Sequence, residues 1–243
     1  MRRFFCNSKD ISGDTINVTD LSLINHLRKV LRVKLNEKLV IFDDMANEYE
    51  CAVERMLPQS IILKINTRIT RAAETGARFT IACAIPKKSK FDDIIDKLTQ
   101  LGAERIIPLQ TERAIVKLDS HKEALRLGRW RKIALNASQQ SQRKVLPLVE
   151  EVMTFEEALS GSSAFDLKLI PTLEGERKSI KDVLSGQRHN NILVLIGPEG
   201  DFSPKETALA LKTGCVPVSL GELVLRVETA AVAVASYIRF SSL

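Results

Sequence analysis

Near the C-terminus, two strand-length apolar runs each end at a glycine, and a helical pattern follows each. The first is Ile192 to Ile196, closed by Gly197-Pro198-Glu199-Gly200; the second is Val216 to Leu220, closed by Gly221. An apolar run of this length without polar alternation is the signature of a parallel strand buried on both faces. In open sheets of such strands, ligands bind outside the carboxyl ends. Two such ends close together in sequence point to one small-molecule pocket built largely from backbone.

The pattern of the remaining chain fits this reading. Phe79–Ile85, Arg105–Leu109 and Phe165–Ile170 are further strand runs. Helical spacing marks Phe91–Leu101, stopped by Gly102, and a long stretch from Ser120 to about Ser141. Ser203-Pro204 opens a helix that reaches about Thr213, with proline at its first position, and Val227 to Phe240 forms the last one. Strands alternating with helices imply an α/β domain with a mainly parallel sheet. Residues 1–70 differ. They read as strand (Leu39–Phe42, Tyr49–Val53, Ile61–Ile65) with one helix, capped by Thr19 or Asp20 and carrying Leu21, Ile24, Leu27 and Leu31 on one face. The expected division is a β-rich module over 1–70, a linker over 71–78 and an α/β domain over 79–243.

Composition narrows the function classes. No apolar run approaches the ~20 residues that span a bilayer, and the apolar stretch after Arg2-Arg3 is too short for a signal peptide. The expectation is a cytoplasmic protein. Cys6, Cys51, Cys83 and Cys215 are widely separated and unpaired in spacing, which suits buried thiols rather than zinc or disulfides. With only three histidines, a histidine-rich metal site is not expected, and no metal is assigned. Lys and Arg total 36 against 30 Asp and Glu, for a formal net charge of +6. The cations cluster at Arg28–Lys34, Lys87–Lys90 and Arg126–Lys144, a distribution suited to phosphate contacts.

The turn Gly197-Pro198-Glu199-Gly200-Asp201-Phe202-Ser203-Pro204 carries no Gly-Lys-Ser/Thr and no GxGxxG, which disfavours a nucleoside triphosphate or a dinucleotide. Its glycines permit close backbone approach to a ligand. The second turn runs Ser219-Leu220-Gly221-Glu222-Leu223-Val224-Leu225-Arg226. Apolar residues in a connecting loop need a cover, either a ring in a pocket or the core.

Gly197-Pro198-Glu199-Gly200, Ser219-Leu220-Gly221 and Leu225-Arg226 before Glu228-Thr229-Ala230 resemble the RsmE family of the SPOUT superfamily. Its members methylate N3 of a uridine in small-subunit ribosomal RNA. The resemblance spans nearly the whole chain in order: Met1-Arg2-Arg3-Phe4-Phe5, His26 with Val30-Leu31-Arg32, Lys97 with Leu101-Gly102, Thr111-Glu112-Arg113, and Trp130 through Arg143. There are departures. The family usually has a glycine at Asp201, glutamates at Gln100 and Gln139, an arginine pattern at Glu222–Leu225 and a threonine at Val227. Asp201 adds a carboxylate beside the expected pocket; it could weaken binding or cap the following helix.

The resemblance implies a PUA-like β-barrel, an RNA-binding module, followed by a trefoil-knotted SPOUT methyltransferase domain. It also implies S-adenosylmethionine as cofactor, a homodimer, and 16S rRNA within the small ribosomal subunit as partner. Cofactor-binding candidates are Pro171, Thr172, Leu195, Gly197, Pro198, Glu199, Gly200, Leu220, Gly221, Leu225 and Thr229. Arg226 and Glu228 are the catalytic candidates, Arg226 to steady uracil oxygens or phosphate and Glu228 as a proton acceptor. Arg2, Arg3, Arg28, Arg32, Arg113, Arg131 and Arg143 are expected on RNA. Two alternatives stay open: a non-catalytic RNA-binding or ribosome-assembly protein on the same scaffold, and a methyltransferase of this class acting at another RNA position.

Overall fold

A computed structural model describes residues 2–69, 76–87, 90–114, 120–173, 175–185 and 188–241. The chain forms two compact units, one of Met1–Glu74 with Ser138–Val145, the other of Thr75–Ala137 with Leu146–Leu243.

The first unit contains β1 (Arg3–Phe5), β2 (Ile11–Ser12), β3 (Thr15–Val18), α1 (Leu21–Asn25), β4 (Lys38–Phe42), β5 (Glu48–Leu57) and β6 (Ser60–Ile69). The strands make one sheet in the order β1-β4-β5-β6-β3-β2. All its pairs are antiparallel except β1 with β4. The edge strands β1 and β2 do not pair with each other, so the expected barrel is a curled half-barrel. Register shifts in β5 at Glu50/Cys51 and Val53/Arg55 are bulges of the kind that bend a strand around a core. That core includes Ile16, Leu27, Leu39, Ile41, Cys51, Val53, Ile61 and Leu63. Asp20, not Thr19, caps α1 by accepting from the Leu23 amide at 2.6 Å, and the helix continues as a π turn through His26–Val30. The β4–β5 turn is built on a buried carboxylate. Asp43 accepts from the amides of Met45 and Asn47, the Asn47 side chain and the Tyr49 hydroxyl. Burial, reinforced by the Asp43 charge, pushes the Tyr49 phenol above its usual range.

The second unit runs β7 (Arg78–Ala84), α2 (Lys90–Gln100), β8 (Arg105–Gln110), α3 (Ser120–Gln140), β9 (Leu148–Val149), β10 (Met153–Thr154), α4 (Phe155–Ser160), β11 (Leu167–Pro171), β12 (Lys178–Ser179), α5 (Ile180–Ser185), β13 (Asn191–Ile196), α6 (Pro204–Lys212), β14 (Val216–Ser219) and α7 (Val227–Ser241). Its sheet order is β10-β8-β7-β13-β11-β14-β12, with β9 also on β8, and every pairing is parallel. Alternate residues of β13 enter different cores: Ile192, Val194 and Ile196 join one with Phe79, Phe91 and α7, while Leu193 and Leu195 join another with Phe155, Phe202 and Ala210. Two covered faces are the reason the strand reads as an unbroken apolar run.

Of the expected linker 71–78, residues 71–75 lie outside the described residues. Arg78 already opens β7, because its backbone pairs with Asn191. In the second unit β9, β10, β12, α5 and α4 escape the periodicity reading, as do β1, β2 and β3 in the first. Helix α4 had a legible start, a Thr154/Glu157 capping box. All four cysteines are buried and free. Burial pushes the Cys6 and Cys51 thiols to about 12. Among the described residues no helix is long and apolar enough to cross a membrane.

Candidate functional site

The two glycine-closed strands are not neighbours. β11 lies between β13 and β14 and pairs in parallel with both. The carboxyl ends of the three strands therefore meet at one crevice. Pro171, Thr172 and Leu173 leave β11; Ile196, Gly197, Pro198, Glu199 and Asp201 follow β13; Leu220, Gly221, Leu223, Val224 and Leu225 follow β14. Val227 and Ala230 of α7 and the side chain of Arg177 complete the lining. The space between these groups, mouth included, is about 620 Å³.

The turn after β13 is braced from several directions. Arg113 donates to the carbonyls of Gly200 at 2.8 Å and Phe202 at 3.4 Å. Ser203 caps α6 in a full capping box with Glu206, with Pro204 at the first helical position. Glu206 is 4% exposed, and its carboxylate also accepts from the Glu112 amide at 2.8 Å. Capping thus falls to Ser203 rather than Asp201. Asp201 stands at φ +58°, where a side chain is rare and glycine is at ease, so the family's glycine has a backbone reason. A Cβ on Gly197 would sit 3.2 Å from the Phe202 ring. Gly221 has φ +122°, and its amide donates to the Ser219 hydroxyl.

Most cofactor candidates converge here: Pro171, Thr172, Gly197, Pro198, Glu199, Leu220, Gly221 and Leu225 all line the crevice. Three do not. The Leu195 side chain is fully buried in the core on one sheet face, because β13 alternates. Gly200 is engaged through its carbonyl by Arg113, and Thr229 is exposed on the first turn of α7. Leu173, Arg177, Leu223, Val224, Val227 and Ala230 were not anticipated. Leu223 and Val224 had a signal, apolar residues in a loop; Arg177 had none.

Arg226 and Glu228 flank the crevice in sequence without lining it. Arg226 is exposed, and its guanidinium makes no hydrogen bond among the described residues. Glu228 pairs with Lys90 at 2.5 Å. Burial alone would raise the Glu228 carboxyl, but the Lys90 hydrogen bond, the helix amide and the Lys90 and Arg226 charges outweigh it and hold it below the usual range. A carboxylate held ionised in this way is a weak base.

The expected RNA arginines divide sharply. Arg3 is a correction: its side chain is 7% exposed, pairs with Glu48, stacks over the Phe42 ring and reaches the Ser138 carbonyl. Arg143 is a second, being buried at 7% exposure. The Arg3 guanidinium serves as an interior partner of Glu48 and Phe42. Arg28 is occupied by the carbonyls of Leu57, Pro58 and Ser60 and so ties α1's extension to the β5–β6 turn. Arg131 donates to the Val149 carbonyl, and Arg113 is the brace described above. Arg2, near Glu37 at 3.8 Å, and Arg32 at φ +52° remain surface cations.

The donor set bears on which ligand fits. Among the described residues, no three His, Cys, Asp or Glu side chains gather to hold a metal. The crevice instead offers apolar walls, small residues where a Cβ would intrude, and loop amides. Those of Gly197, Glu199, Leu223, Val224 and Leu225 donate to no group of the described chain. This suits a flat, partly apolar ligand recognised by its hydrogen-bonding edge.

Residues 73–239 match the family described as RNA methyltransferase domain, and residues 18–66 match the RNA methyltransferase PUA domain. Ribosomal RNA small subunit methyltransferase E of Mesomycoplasma hyopneumoniae is 31% identical over 96% of this chain and 96% of its own. The Bacillus subtilis protein of the same name is 28% identical over 85% and 83%. A crystal structure of ribosomal RNA small subunit methyltransferase E from Neisseria gonorrhoeae bound to S-adenosyl methionine superposes with a TM-score of 0.88, at 28% identity, over 99% of this chain and 97% of that one.

Proposed function

Because the chain belongs to the RNA methyltransferase family that includes ribosomal RNA small subunit methyltransferase E, we propose that it methylates N3 of a uridine in 16S rRNA with S-adenosylmethionine. The observation that carries this reading is the crevice at the ends of β11, β13 and β14, lined by eight of the eleven residues singled out for adenosyl binding. The proposal further includes an N-terminal RNA-binding module over 1–70, a catalytic domain over 79–243, a knotted chain, a homodimer and a cytoplasmic encounter with the small ribosomal subunit.

Bound in the crevice, S-adenosylmethionine supplies a methyl group on a sulfonium already activated for transfer. The chain's work is then to position and to exclude water. Backbone at Gly197, Glu199 and Leu225, whose amides donate to no group of the described chain, would hold the polar edge of the adenosine, while Pro171, Pro198, Leu225 and Ala230 would cover its faces. Arg226, exposed and with no hydrogen bond from its guanidinium among the described residues, steadies the uracil oxygens as N3 gives up its proton. Glu228, committed to Lys90, keeps the first turns of α2 and α7 together and leaves the N3 proton to solvent. Deleting the gene and digesting 16S rRNA for mass spectrometry tests the reading. Loss of one base-methylated uridine, restored by the wild-type gene but not by Arg226→Ala, supports it; an unchanged base profile, or loss of a ribose methyl, refutes it.

A further inference from the structure

The turns after β11 and β13 are joined by one side chain. Asp201 accepts through Oδ2 from the Leu173 amide at 2.9 Å and through Oδ1 from the Phe202 amide at 2.8 Å. Leu173 and Asp201 both line the crevice, on turns that leave adjacent strands. The Asp201 backbone holds φ +58°, a left-handed conformation that Asp and Asn tolerate better than other residues with side chains. Asp201 Oδ1 and the Phe202 ring are also the atoms a Cβ on Gly197 would meet, at 3.4 and 3.2 Å. The carboxylate therefore sets both the spacing of two rims and the depth of the slot at Gly197.

We propose that Asp201 is a positioning residue, a latch that joins the turns after β11 and β13 and presets the crevice before its ligand arrives. This differs from both alternatives left open for Asp201, a carboxylate that weakens binding and a cap for the following helix. A glycine at this position would satisfy the backbone without strain but would leave the Leu173 amide unheld, so rim spacing would depend on the ligand. Ordering the rims beforehand removes an entropy cost from binding. The role in binding rests on the reading of the crevice as the S-adenosylmethionine site, whereas the latch itself does not.

The test uses full-length protein and two variants. Asp201→Gly removes both acceptors and relieves the backbone, so folding is not in question. Asp201→Asn tolerates the same φ and keeps one acceptor oxygen. In protein without cofactor, hydrogen exchange at the Leu173 amide is expected to be about tenfold faster in Asp201→Gly, with Asp201→Asn between it and wild type. Calorimetry with S-adenosylmethionine is expected to show about tenfold weaker binding in Asp201→Gly, with KM rising in step and kcat unchanged. Unchanged exchange at Leu173 overturns the latch, whatever happens to affinity. Faster exchange with unchanged affinity overturns the role in presetting. Wild-type protein that takes up no S-adenosylmethionine, with exchange still accelerated in Asp201→Gly, supports the latch and overturns the ligand reading instead.

Discussion

The two loops that frame the crevice are built on opposite plans. The turn after β13 is tied down by Arg113, Asp201, Ser203 and Glu206, and Phe202 packs beneath it against Phe155. The turn after β14 has one hydrogen-bonding side chain, Ser219, and it leaves Leu223 and Val224 79% and 75% exposed. A polar network holds the first loop in place with nothing bound. The second has apolar side chains with no cover of their own, which fits a loop completed by ligand or by a second copy of the chain. Substitutions in the first loop should therefore cost stability and binding together, whereas those in the second should cost binding or association alone.

The largest effect is expected at Glu206. Its buried carboxylate satisfies the Ser203 and Glu112 amides, so Glu206→Ala should destabilise the protein by about 2–3 kcal/mol in urea unfolding and weaken S-adenosylmethionine binding as well. Binding unaffected by that loss would break the link between brace and crevice. Next is Gly197→Ala, where the added methyl meets the Phe202 ring. Strain of about 1–3 kcal/mol is expected, visible as lowered thermal stability and weaker cofactor uptake.

A smaller effect follows from Glu228. Its carboxyl titrates below the usual range in the folded chain, so its stabilisation is present above the unfolded pKa and is lost as pH falls through the depressed folded value. The pair is partly exposed, so Glu228→Gln should cost less than about 1 kcal/mol at neutral pH, and its denaturation midpoint should converge with wild type in acid. A gap that widened in acid would contradict the ion pair. Smallest in stability is Leu223→Asp, expected within about 0.5 kcal/mol of wild type because the side chain touches little of its own chain. The same variant should weaken S-adenosylmethionine uptake in calorimetry, since Leu223 lines the crevice. A large loss of stability in the isolated chain would erase the contrast between the loops.

Much of this architecture was legible because burial writes itself into sequence. A strand covered on both faces must be apolar throughout, so β13 was readable at its glycine-closed end, and Ser203-Pro204 announced α6. β9, β10 and β12 are two residues long, too short to carry a period. The crevice was visible through its glycines, yet β11's place between β13 and β14 was not, since strand order depends on long-range pairing. Arginines were the least readable residues. Arg3 and Arg32 look alike in sequence, but one lies against Glu48 and Phe42 inside the half-barrel and the other faces solvent. A guanidinium's partner is decided by tertiary neighbours, and charge clustering records only that cations are near one another along the chain.

The central claim is that loops closing three parallel strands form one adenosyl site. Titrating S-adenosylmethionine into wild type and Gly197→Val by calorimetry tests it most directly. The account predicts one saturable site per chain in wild type, filled in the variant only at much higher concentration because the branched side chain meets the Phe202 ring and the Asp201 carboxylate and displaces the turn. No saturable heat with wild type, or equal affinity in both proteins, would contradict it.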